Sequence, residues 1–143
     1  MSKIVVKIQN TKTYQSAHVV IVHDENVLIL RRSESDTWMP GHYGLPGGKI
    51  ETGEELLQGA CRECKEETNL DIFPQDLVFL PKSTIDNNHA FFCTTKYNGK
   101  VKLDFEHDDY KWINPKNLSN YKIVPDLLSI VTEAWEKINS VQR

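Results

Sequence analysis

Cysteine is scarce. Three residues in 143, at positions 61, 64 and 93, are too few and too unevenly spread for a disulfide-stapled scaffold. Long apolar runs are missing as well, and nothing approaches the roughly 20 residues needed to cross a bilayer. Residues 3–8 alternate as Lys-Ile-Val-Val-Lys-Ile, too short and too charged for a secretory segment. There is no excess of positive charge: a net charge of -3 excludes a broad electrostatic footprint for nucleic acid polymers, so any phosphate recognition must be local. With no internal repeat, low-complexity tract or Pro/Ser-rich linker, residues 1–143 are expected to form one cytoplasmic domain large enough to bury its own core.

What is present is concentrated between positions 48 and 70. Thr52 followed three residues later by Glu55 has the form of a capping box, which predicts a helix start. Leu56, Leu57, Ala60, Cys61 and Cys64 then recur at helical spacing and form one apolar stripe. The two cysteines on that stripe read as reduced packing residues rather than a redox or zinc pair. Asn69, which tolerates the left-handed conformation, is expected to end the helix. At about 100° per residue, Glu63, Glu66 and Glu67 fall within an arc of roughly 100° flanking the stripe, near a cleft rim. Arg62 and Lys65 are the nearby cations, and on the helical wheel neither lies between the three acids. A solvated acidic face is one reading of such a run. The other is a divalent ion, because clustered carboxylates repel one another and hard oxygen ligands suit Mg²⁺ or Mn²⁺.

The spacing Gly48, five residues, Glu54, seven residues, then Arg62-Glu63-Cys64-Lys65-Glu66-Glu67-Thr68-Asn69-Leu70 resembles the Nudix box, G-x5-E-x7-R-E-U-x-E-E-x-G-U with U aliphatic. Six of its seven fixed letters are present, a coincidence on the order of one in ten million per starting position at average residue usage. Cys64 stands for the aliphatic residue and Asn69 for the last glycine, both replaceable on packing and capping grounds. The likeness extends over roughly residues 15–138. It includes the segment 38–48, which leads into the box, and the run Glu106-His107-Asp108-Asp109-Tyr110-Lys111-Trp112.

Outside the box, residues 18–22 and 27–30 read as an apolar hairpin ending in Arg31-Arg32. Residues 77–80, 90–97 and 100–103 read as strands, the last two joined by the hairpin signal Asn98-Gly99. A short strand over 110–113 and a turn or short helix over 115–119 follow. Pro125 opens an amphipathic helix carrying Leu127, Leu128, Ile130, Val131, Ala134, Trp135 and Ile138. Pattern alone supports an α+β or α/β class. The resemblance implies the Nudix-type α/β/α sandwich with a mixed β-sheet.

The resemblance also implies a site. Glu63, Glu66 and Glu67, with the carbonyl of Gly47, match positions that hold one to three Mg²⁺ ions, for which Mn²⁺ can substitute. Arg62 matches the arginine that orients a box carboxylate, and Glu54 is expected to support the loop and helix. Glu66, Glu106 and His107 compete as general base, with Glu106 favoured by its distance before Trp112. Alternation sends one of Arg31 and Arg32 toward substrate phosphate. Trp38, Tyr43 and Phe92 are candidates to stack on a base; His18 and His42 are read as structural. The activity implied is Mg²⁺-dependent pyrophosphohydrolysis of a small nucleotide. The substrate is either a nucleoside diphosphate linked to another moiety, such as a sugar, or a nucleoside triphosphate. Homodimers are common among similar proteins. A nucleotide-sensing domain without catalysis is the alternative, disfavoured because such members lose box acids and all of them are present here.

Overall fold

The computed structural model describes residues 14–86 and 88–142, so the alternating segment 3–8 lies outside the described residues. Two apolar, β-branched runs form the first hairpin. Strand β1 (Ser16–His23) turns through Asp24 and Glu25 into β2 (Asn26–Arg32), with Val22 opposite Val27 and His23 opposite Asn26. Asp24 takes a φ of 56°, a left-handed conformation that a short polar side chain tolerates. Two short strands follow, β3 (Tyr43–Gly44) and β4 (Gly47–Lys49), then helix α1 (Leu56–Thr68) and β5 (Val78–Phe79). Strands β6 (His89–Thr94) and β7 (His107–Ile113) precede the C-terminal helix α2 (Leu127–Gln142).

Strand β1 organises the sheet. One edge pairs parallel with β6, from Ser16 opposite His89 to Ile21 opposite Thr94, and β6 pairs antiparallel with β5. The other edge is divided: Ser16, Ala17 and His18 pair with β4, whereas Val22 and His23 pair with β2. Strand β2 goes on to pair with β3 and β7. The sheet therefore splits along one side of β1, and the glycines of β4 lie where it splits.

Because side chains alternate across a strand, β1 serves two cores. Ala17, Val19 and Ile21 pack with Leu28 and Leu30 of β2 and with Leu56, Leu57, Ala60 and Cys64 of α1. Val20 and Val22 pack with Val27, Ile29 and Leu127, Ile130, Val131 and Ala134 of α2. Burial on both faces explains why β1 and β2 read as nearly continuous apolar runs. The result is the expected α/β/α sandwich with a mixed sheet. Among the described residues no helix is long and apolar enough to cross a membrane.

Three expectations of local structure are corrected. Glu55 is the N-cap of α1 without a side-chain cap hydrogen bond, so Thr52 and Glu55 do not form a capping box. Instead Glu54 Oε1 accepts from the Glu51 N–H at 3.0 Å, closing the loop before the helix. Asn98-Gly99 does not join two strands: β6 ends at Thr94, and residues 100–103 belong to no strand. Asn98 exchanges backbone hydrogen bonds with Asp71, and the Lys102 N–H donates to the Thr68 carbonyl, so this segment is held by the end of α1. Pro125 is not the first helical residue, because Asp126 takes a φ of 68° and α2 begins at Leu127.

Asn69 does terminate α1, with a φ of 68° and its N–H donating to the Lys65 carbonyl. Asn69→Gly is expected to change stability by under about 0.5 kcal/mol, whereas Asn69→Val, strained at positive φ, is expected to destabilise by about 1–3 kcal/mol. Urea unfolding midpoints of the two variants check this.

Candidate active site

The corner between β4 and α1 is built on close approach. A Cβ added to Gly47 (φ 148°) would sit 2.2 Å from the Ala17 carbonyl oxygen and 2.5 Å from His18 Cα, so only glycine lets the chain lie against β1 here. At Gly48 an added Cβ would meet Glu63 Oε1 at 2.4 Å. The Gly47 N–H donates to Glu67 Oε1 at 2.9 Å, which ties the strand to the helix at a buried point.

Arg62 is the hub that joins Glu54, Glu63 and Glu66. It grips Glu54 with two hydrogen bonds, from Nε at 2.7 Å and Nη2 at 3.1 Å, and Nη2 also donates to the Lys49 carbonyl. Nη1 donates at 3.0 Å to both Glu63 and Glu66. The expectation that no cation lies between the box acids is therefore wrong for Glu63 and Glu66: a long, forked side chain reaches where a helical wheel, drawn at the backbone, does not place it. Glu54 supports the loop as expected, and Arg62 lowers its pKa.

Glu67 lies apart from this network. It is 7% exposed, part of the buried stripe rather than the cleft rim anticipated for it. Burial, reinforced by the charges of Glu63, Asp104 and Glu106, pushes its carboxyl up to about 9, although the Gly47 N–H pulls the other way. Ligand atoms of Glu67, Asp104 and His107 all lie within 4.8 Å of one another. His107 Nδ1 is 2.9 Å from Asp104 Oδ1. Burial also raises Glu63, against Arg62, and raises Glu106, where the Asp104 charge adds to it. Carboxylates this close, in part buried and with one guanidinium shared among Glu54, Glu63 and Glu66, form a donor set that fits a hard divalent cation.

Beside this cluster opens a cleft of about 1480 Å³ on the α2 face of the sheet. Glu54 lines it, whereas Glu63, Glu66, Glu67, Asp104 and Glu106 do not; Gly48, where an added Cβ would meet Glu63, belongs to its wall and joins the two. Ser16, His18, Arg32, Trp38, Phe91 and Asp126 also line it. Of the two arginines, Arg32 faces the cleft: it donates to the Trp38 carbonyl and Asp36, and its guanidinium lies 4.9 Å from the Trp38 ring centre. Arg31 is directed to Asp108 and Glu34, away from the cleft wall. Trp38 is 53% exposed there, whereas Phe92 is core on the α1 face, and Tyr43 is buried on the α2 face with its hydroxyl donating to Asp109.

A NUDIX domain model matches residues 13–133. The chain belongs to the Nudix family. Membership makes it a hydrolase of phosphoric anhydride bonds. It is similar to the nucleoside triphosphatase NudI of Escherichia coli O139:H28 (strain E24377A / ETEC), 24% identical over 118 residues, 73% of this chain and 84% of the relative. A MutT protein from Methanosarcina mazei Go1 superposes with a TM-score of 0.69 at 28% identity, covering 88% of this chain and 96% of that one. A MutT NUDIX hydrolase from Burkholderia pseudomallei gives a TM-score of 0.71 at 17% identity, covering 85% and 98%, and at that identity shows the shared fold.

Both departures from the Nudix box are structural. Cys64 is fully buried in the α1 core and Asn69 supplies the left-handed cap. Cys61, Cys64 and Cys93 are all free thiols. Sequence reasoning missed Asp104, whose signal was the recurrence of acids at 104, 106 and 108 just before and into β7. It also missed Ser16 and His89, and read His18 as structural, although all three line the cleft. Burial lowers the His18 pKa to about 4.

Metal-free protein is expected to lose stability as pH rises from the ordinary carboxylate range toward about 9. Folded Glu67 keeps a proton that the unfolded chain has already released, so unfolding is favoured as pH rises. The slope has a ceiling of about 1.4 kcal/mol per pH unit for one proton. Urea titrations in chelator across that window are expected to show a shallower slope for Glu67→Gln than for the parent chain.

Proposed function

We propose that this Nudix hydrolase is a divalent-metal-dependent nucleotide pyrophosphohydrolase that acts on nucleoside triphosphates of the cytoplasmic pool. The observation that carries the reading is the junction at Gly48, where an acidic cluster meets a cleft large enough for a nucleoside. The named activity of the relative NudI supports a triphosphate over a nucleoside diphosphate linked to a sugar.

Glu63, Glu66, Glu67 and the Gly47 carbonyl would hold Mg²⁺ or Mn²⁺, with Asp104 as a further carboxylate. When bound, the metal neutralises charge on the phosphate oxygens and makes a coordinated water more acidic. The remaining work falls to the side chains. Glu106 accepts the proton of the attacking water; burial and the Asp104 charge raise its pKa, which suits a base that must take up a proton. His107 holds Asp104 in place through their 2.9 Å contact. Arg62 restrains Glu63 and Glu66, and its grip on Glu54 keeps the glycine corner closed. Arg32 brings positive charge to the triphosphate, while Trp38 offers an exposed ring face to the base. Arg31 braces the loop at Glu34 and Asp108 rather than touching substrate.

A screen of nucleoside triphosphates and nucleoside diphosphate sugars with Mg²⁺ tests this, with pyrophosphatase and phosphatase as separate coupling enzymes. Pyrophosphate release from triphosphates is expected. Glu106→Gln should lower kcat by about 10²-fold or more, and a loss under about tenfold would place the base at Glu66 or His107. Glu67→Gln is expected to abolish most Mg²⁺-dependent turnover. Paired monophosphates from a nucleoside diphosphate sugar would redirect the assignment, and no product at all would favour a nucleotide-sensing domain.

A further inference from the structure

One wall of the cleft carries a polar chain that the hydrolytic roles leave unused. Ser16 Oγ lies 2.6 Å from His89 Nδ1 and 3.1 Å from His18 Nε2. The His18 ring stacks on Phe91 at 5.4 Å between centres, and the two imidazoles meet edge to face at 6.3 Å. Adjacent β1 and β6 hold the three together, since Ser16 and His89 are register partners. His89 Nδ1 is occupied by Ser16, and among the described residues Nε2 has no partner. It is open to a ligand in the cleft.

A serine hydroxyl between two imidazole nitrogens has one hydrogen and two lone pairs, so it donates to one ring and accepts from the other. Two arrangements satisfy the hydroxyl and the two ring nitrogens that face it. If Ser16 donates to His89 Nδ1, the His89 proton sits on Nε2, and His18 donates through its own Nε2 to the serine oxygen. If Ser16 turns to donate to His18 Nε2, His89 carries its proton on Nδ1 and its Nε2 becomes an acceptor, while His18 carries its proton on Nδ1. The protons leaving His89 Nε2 and reaching His18 Nδ1 exchange with water in the cleft that both rings line. Each ring keeps one proton throughout, and the hydroxyl keeps its own.

We propose that Ser16, His18 and His89 form a tautomer relay that lets this cleft bind bases bearing either an oxo or an amino group at the same position. The proposal rests on the assignment of the cleft to the nucleoside. A fixed donor would match a carbonyl oxygen and leave an amino group unpaired, and a fixed acceptor would do the reverse. Such an unpaired contact lowers affinity by roughly 5- to 150-fold when desolvated. The relay removes that penalty for both bases, and so predicts a nucleotide hydrolase of broad base tolerance.

The test uses binding, not turnover. Inosine and adenosine 5′-monophosphates differ at the purine ring in one oxo-for-amino exchange, and ¹⁵N NMR of the histidine rings reads which nitrogen bears the proton. In the parent chain, His89 is expected to be protonated on Nε2 with the inosine nucleotide and on Nδ1 with the adenosine nucleotide, with affinities within about fivefold. Ser16→Ala is expected to leave the same tautomer in both complexes and to widen the affinity ratio to about tenfold or more. Ser16→Thr, which keeps the hydroxyl, should restore the exchange. One unchanged tautomer in both parent complexes, or ring signals that ignore both nucleotides, would overturn the relay. A chain that switched tautomers yet released no pyrophosphate from triphosphates would lose the triphosphatase reading and keep the relay; a triphosphatase with unresponsive rings would do the opposite.

Discussion

The contact on which the rest of this molecule depends is the backbone of Gly47 pressed against β1 while its N–H holds Glu67. No side chain fits there, so the position excludes every residue but glycine, and it joins the sheet, the loop and α1 at one buried point. Because β4 takes the first half of the β1 edge, β2 can pair only with its end, and the sheet splits beside the glycines. The acids of α1 and the cleft on the α2 face are thereby brought to either side of the same short strand.

Charge is divided in a way that follows from side-chain reach. Arg62 can span three carboxylates because its fork presents several donors in one plane, and it leaves Glu54, Glu63 and Glu66 anchored and partly compensated. Glu67 is beyond that reach. It stays buried with Asp104 and Glu106 as electrostatic neighbours, and the chain supplies no cation to it among the described residues. A folded protein that holds an acid in this state does so at the expense of stability.

Much of the architecture was legible because it follows from local pattern. The apolar runs of β1 and β2, the stripe of α1 and the left-handed stop at Asn69 each depend on residues close in sequence, and each was found where expected. The errors arose where a backbone group had a choice of partners. Asn98-Gly99 has the chemistry of a hairpin, but Asp71 and Thr68 offered hydrogen bonds nearer to hand. Thr52 and Glu55 have the letters of a capping box, but the turn at Gly53 starts the helix later. Tyr43 and Phe92 are plausible aromatic platforms by composition, and only packing shows that both are core.

The sequence by itself determined the box, its spacing, the helix that carries it and the family to which the chain belongs, since all of these are set by residue order over some twenty positions. Tertiary structure decided which acids are bridged and which is buried, which arginine faces the cleft, and that Ser16 and His89, 73 positions apart, share a hydrogen bond. The reason is physical: helical and strand periodicity are local, whereas burial, desolvation and side-chain pairing depend on which distant segment the sheet places alongside.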